Sequence, residues 1–170
     1  MTPSTTAAAR STAFPVLSAQ TLMLIVISGA VGTLTFDLWG KAISPLLGFA
    51  QLAPEGLARG FLGSVGLPNS AAMGSFMHLF LVGVIAYPVG WLFVARPIIA
   101  RVAPSLHWSV ASAIYGVGLW VFAIGGITMI AGLPFFLGFT GITWVALVGH
   151  VFYAIAAAGA VTYVESPDRR

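Results

Sequence analysis

The chain has 170 residues, 59% hydrophobic and only 6% charged, with a mean hydropathy of +1.01. A soluble domain carries about 25% charged residues, so this composition excludes a fully water-facing surface and makes lipid the natural solvent. With no cysteine, disulfides, thiolate metal sites and cysteine nucleophiles are excluded together, and the basic residues, seven against four acidic, sit in loops and tails, where membrane topology explains them better than nucleic acid does.

Residues 1–20, rich in Thr, Ser and Ala, read as a flexible tail. The first apolar stretch, about residues 21–43, is long enough to cross a hydrocarbon core of roughly 30 Å as a helix. A signal peptide cut after Ala30 competes with that reading, but the apolar run continues to Trp39. Next comes "PEGLARGFLGSV", about residues 54–65, with a helix-favouring proline in its first turn. It puts Leu57, Phe61, Leu62 and Val65 on one face and spaces Glu55 and Arg59 at i,i+4. The pattern predicts an amphipathic helix lying on the outer membrane surface, which closes the bundle there or serves as a lid or docking element. Further spans follow at about residues 73–95, 109–131 and 141–163, and residues 164–170 form a second tail.

Arg10, Arg96, Arg101, Arg169 and Arg170 fall on one side of this layout, and Lys41 and Arg59 on the other. The positive-inside rule then puts both termini in the cytoplasm. Trp39, Trp91, Trp108 and Trp144 lie near predicted span ends, as an interfacial aromatic belt requires. The expected fold is all-α: a four-transmembrane-helix bundle, N-in and C-in, with a short interfacial helix between the first two spans. "PLLGF" after span one and "PFFLGF" after span three suggest two related helical hairpins. Small residues four apart mark expected packing faces on each span: Ser28/Gly32, Ala86/Gly90, Ser112/Gly116 and Ala156/Ala160. Pro88 should kink span two and free a carbonyl near mid-membrane.

Ionisable residues inside a span cost about 2.5–3.5 kcal/mol on insertion scales, so each calls for a partner or a purpose. A rise of about 1.5 Å per residue puts Asp37 and His78 at matching depth, roughly 7 and 9 Å outward of their span midpoints, and His150 nearer the centre. Asp37 can therefore bond His78, fixing its tautomer, or pair with Lys41 one turn on; the two are compatible. His150 reads as a neutral histidine bonded to a neighbouring helix. Axial haem b ligation by His78 and His150 is an alternative, as is a bound lipid or pigment, but no second histidine pair exists and no cofactor is expected. The histidines, with His107 in a cytoplasmic loop, form no recognisable metal-ligand spacing, and no serine–histidine–acid pattern or phosphate loop appears. No metal and no catalytic residues are expected.

At "GTLTFDLWGKAISPLLG" the sequence resembles the YagU-like group of small, functionally uncharacterised bacterial inner-membrane proteins. The shared pattern is a glycine-rich first span ending in an aspartate–x–tryptophan motif, with a histidine early in the second span and another in the fourth. Here these are Asp37, Trp39, His78 and His150, the last in "GHVFYAIAAAGA"; the surface helix has no counterpart in the pattern. The resemblance covers about residues 21–163 and implies a four-helix protein of the bacterial inner membrane, with no chemistry to carry over. Little polar chemistry and abundant small-residue faces lead to a non-enzymatic protein that acts through helix contacts. It would be an accessory subunit of a larger energy-transducing complex, or a homo-oligomer. The alternatives are a small transporter or channel along Asp37, His78 and His150, and a haem-binding electron carrier.

Overall fold

A computed structural model describes residues 15–166. The remaining expected tail positions, with Arg10, Arg169 and Arg170, lie outside the described residues. All regular structure among the described residues is helical. The order is α1 (Ala19–Leu46), α2 (Pro54–Ser64), α3 (Ala71–Val102), α4 (Trp108–Ile130) and α5 (Gly141–Val164). Side chains cap the starts of three spans: Ser18 Oγ accepts from the Thr21 N–H at 3.2 Å, Ser70 from Met73 and His107 from Ser109. The helices α1, α3, α4 and α5 are long and apolar enough to cross a membrane, so this is an integral membrane protein with a four-helix bundle.

The helix α5 is the axis of the bundle, with α1 and α4 packed along it and α3 set against α1. Half of the apolar window of α5 is buried, against 22% for α3, so α3 is the span most exposed to lipid. Small residues bring the backbones close, since apolar side chains gain nothing by leaving lipid. A Cβ on Gly116 would sit 2.7 Å from the His150 carbonyl oxygen, and one on Gly29 would strike the Val84 backbone. The expected packing residues divide here. Ser28, Gly32, Ser112 and Gly116 are buried, whereas Gly90, Ala156 and Ala160 are half-buried and Ala86 is exposed. On α5 the fully buried alanines are Ala146, Ala154, Ala157 and Ala158.

Two apolar clusters fill the bundle. One, around Leu24, Trp91, Leu92 and Val161, occupies the face that carries the start of α1 and the end of α5. The other, around Phe36, Leu119, Ile124 and Tyr153, lies toward the opposite, distal face. Trp91, expected at the interface, is buried beside Tyr115 because α3 runs on to Val102. That extension ends in a bidentate ion pair, Arg96 to Glu165 at 3.0 and 2.7 Å, which joins α3 to the end of α5.

Pro88 has a more specific consequence than a mid-span kink. Over Phe76–Ala86 the helix α3 winds in wide turns, with each N–H reaching five residues back; the Tyr87 N–H donates to Val82. In that register the missing proline N–H orphans the Gly83 carbonyl, and the Tyr153 hydroxyl donates to it at 2.5 Å. The two similar post-span segments fold differently. Pro45 lies in the last turn of α1, whereas Pro134 precedes a tight turn in which Phe136, Leu137 and Phe139 hold φ of 46°, 52° and 54°. Such left-handed backbone is uncommon outside glycine. Phe136, wedged 4.6 Å from the Trp120 ring, helps hold it.

The close approaches yield a test. Gly116→Val should lower stability by about 1–3 kcal/mol through overpacking against α5, while Gly118→Ala, where a Cβ meets nothing within 4 Å, should not destabilise. Thermal unfolding of both variants in detergent, followed by circular dichroism, separates the two outcomes.

Candidate functional site

The distal end of α1 gathers the charges that the apolar spans leave unpartnered. After Leu46 the chain reverses at Gly48, which takes φ 81°, and folds back on α1: the Leu52 N–H donates to the Gly40 carbonyl at 2.9 Å, and Ser44 Oγ to Ala50 at 2.6 Å. This return delivers Glu55, in the first turn of α2, to Lys41. The Lys41 ammonium bridges Glu55 Oε1 and Asp37 Oδ2, the latter at 2.8 Å. The second Asp37 oxygen faces His78 Nε2 at 2.9 Å. Because a carboxylate can only accept, the imidazole donates Nε2–H, and Asp37 holds both of its candidate partners at once. Side-chain exposures of 13% to 34% across the four residues leave the network partly shielded from water. The i,i+4 pair of Glu55 with Arg59 does not form; Arg59 instead donates to the Asn69 carbonyl, at 2.9 Å.

One oxygen or nitrogen each from Asp37, Glu55 and His78 falls within 4.8 Å of the others, a spacing that suits a cation. The Lys41 ammonium bridges the two carboxylates of this group and offsets one of their two charges.

Behind the network lies a cavity of about 350 Å³. Each helix contributes to its wall, for example Phe36 from α1, Phe61 from α2, Val82 from α3, Ile127 from α4 and Ala146 from α5. The surface helix α2 roofs it, burying Ala58 and Leu62 with Leu57 and Phe61 half-buried, while Val65 is exposed. Its polar groups are few: Thr33, His78, Tyr87, His150 and Tyr153. His150 is 4% exposed, and its Nδ1 lies 2.7 Å from the Ala146 carbonyl of its own helix rather than bonding a neighbour. A carbonyl can only accept, so Nδ1 carries the proton and the neutral ring offers Nε2 as a lone pair. The Phe36 ring packs on both imidazoles, with centroids 5.8 Å from His78 and 5.1 Å from His150. Thr33 Oγ1 is the one fully buried side-chain polar atom without a hydrogen-bond partner among the described residues.

The cavity reaches the side of the bundle. The spans α3 and α4 meet where Trp91–Ala95 touches Trp108–Trp120, and the Tyr115 hydroxyl donates to the Tyr87 carbonyl at 2.6 Å. Ala86 on α3 and Phe122 on α4 are both exposed and both line the cavity, so its wall reaches the outer surface at these two spans.

Sequence reasoning brought Asp37, Lys41, His78 and His150 forward; the structure adds Glu55, Thr33, Tyr87 and Tyr153. Glu55 had a readable signal, because it is the acid nearest Lys41 on the same side of the predicted bundle. The hydroxyl groups had none, since their neighbours come from other helices.

The network makes a measurable demand. Asp37→Asn leaves the Lys41 ammonium and the His78 N–H facing a neutral amide and should cost about 1–3 kcal/mol. Combined with His78→Ala, the loss should fall short of the sum of the single losses by about 0.5 kcal/mol or more in a double-mutant cycle. Strict additivity would deny the contact.

Compared with known proteins, the chain matches no family model, no characterised protein sequence and no solved structure.

Proposed function

We propose that this membrane protein is a non-enzymatic binder of a small apolar molecule, held among α1, α3, α4 and α5 beneath α2. The cavity is the observation that carries the reading. Its volume of about 350 Å³ is of the size that ligand sites take, and an apolar wall with a few convergent polar groups is their usual composition. The exposed stretch of its wall on α3 and α4 supports access from the bilayer. By the positive-inside rule, Arg96 and Arg101 favour an orientation with the terminal face in the cytoplasm. The resemblance to the YagU-like group is what supports a bacterial inner-membrane placement.

A second reading, an accessory subunit of a larger energy-transducing complex, is favoured by the exposure of α3. Phe80, Leu81 and Val94 are exposed on it and suit either lipid or another helix. The transport reading has less support. On the terminal side of the cavity Leu24, Ile25, Trp91, Leu92 and Val161 fill the bundle, and Asp37, His78 and His150 do not continue across it. Haem ligation by the histidine pair also has less support, because His78 commits Nε2 to Asp37 and Phe36 packs against both rings.

Organic extraction of the protein purified in mild detergent should yield one apolar compound in near-stoichiometric amount. Ala86→Trp, which adds bulk to the exposed stretch of the wall, should reduce that yield by about tenfold, the effect of about 1.4 kcal/mol in binding. Bulk lipid alone from both forms would contradict the binding role. Co-purification with a large complex would support the subunit reading, and a lone stable particle would count against it.

A further inference from the structure

The polar atoms of the cavity restrict the chemistry of what it holds. His150 Nδ1–H is used by the Ala146 carbonyl, so the ring is tautomerically fixed and Nε2 is an acceptor. Among the described residues nothing donates to that nitrogen, although the side chain is 96% buried by its 4% exposure and lines the cavity. A ligand complementary to His150 must therefore bring a donor. Ketone, ester and ether oxygens cannot supply one. The Tyr87 hydroxyl lines the same cavity, its ring centroid 6.1 Å from that of His150, and has no hydrogen-bond partner among the described residues. That O–H group can donate, so the ligand's polar atom should accept as well as donate. A hydroxyl does both through a single uncharged atom. A cationic or carboxylate head would enter a wall that is otherwise apolar, where an uncompensated charge is strongly disfavoured.

We propose that the cavity takes, from the lipid phase, an apolar molecule with a hydroxyl head, whose O–H donates to His150 Nε2. The inference rests on the binding role argued above and specifies its ligand class. Two lipid-soluble sources share this chemistry: a long-chain alcohol and a phenol of the hydroquinone type. The exposed wall at Ala86 and Phe122 is the route by which either would enter, its chain remaining toward the bilayer.

The probes are dodecanol against dodecyl methyl ether, and decyl hydroquinone against decyl benzoquinone, with the full chain in nanodiscs. The native protein should bind a hydroxyl probe about tenfold more tightly than its hydroxyl-free counterpart, the size of one net hydrogen bond. Preference within the alcohol pair identifies the alcohol source, and preference within the quinone pair the phenol. In His150→Phe the ratio should fall to about one, with binding of the ether retained. A readout that needs no variant is the Nε2 resonance of isotope-labelled His150, which should move with the hydroxyl probe and stay still with the ether. Equal affinities within both pairs, or an unmoved resonance under saturating hydroxyl probe, would overturn the hydroxyl assignment while leaving the cavity a binding site. Failure of all four probes to bind would overturn both.

Discussion

The Lys41 ammonium between Asp37 and Glu55 is the contact on which the distal half of this protein depends. An isolated charge is costly in a membrane, and one cation serving two carboxylates, one of them also bonded to a histidine, is a way to carry several charges near apolar helices. The network reaches three elements at once: Asp37 and Lys41 on α1, His78 on α3 and Glu55 on α2. It thereby sets the position of the surface helix over the bundle, and the cavity exists in its present form because α2 roofs it. A surface pair contributes little in water. At side-chain exposures of 34% or below, with both Asp37 oxygens and one Glu55 oxygen directed to a donor, the network is better placed than such a pair to hold an element.

Elsewhere, cohesion comes from close approach and from hydroxyl groups. Gly29, Gly32 and Gly116 let α1, α3, α4 and α5 come nearer than any side chain would permit. Two tyrosines then tie the bundle to α3, Tyr153 through the Gly83 carbonyl and Tyr115 through the Tyr87 carbonyl. Trp39 and Trp120 do the same for the start of α5, donating to the Val145 and Thr143 carbonyls at 2.9 and 3.0 Å. The Tyr153 bond falls where proline leaves a carbonyl without its helical partner, and the two tryptophan bonds fall near the start of α5. The least buried span, α3, also carries with α4 the exposed stretch of the cavity wall.

The spans were legible because hydropathy and length decide them, and the surface helix because its apolar face repeats with helical period. Matching depth brought Asp37 and His78 together on paper, since helical rise is the same in both spans. Depth could not reveal rotation about each helix axis. For that reason the burial of Ala154, Ala157 and Ala158 on α5 and the cavity itself were not readable. The Pro88 effect was legible in kind but not in place: the wide turns of α3 move the orphaned carbonyl from Val84 to Gly83. The similarity of the two proline–glycine–phenylalanine segments was a likeness of letters, because packing of Phe136 decides the second turn.

The central claim is that the Lys41 bridge holds α2 down over the cavity. The chain has no cysteine, so a single introduced thiol reports without interference. Leu57→Cys places one on the cavity side of α2, and Gly56→Cys places one on its exposed side. With the bridge intact, a water-soluble maleimide should label position 57 much more slowly than position 56, and adding Glu55→Gln should bring the two rates close together. Equal rates at both positions with the bridge intact, or a rate at position 57 unchanged by Glu55→Gln, would contradict the account.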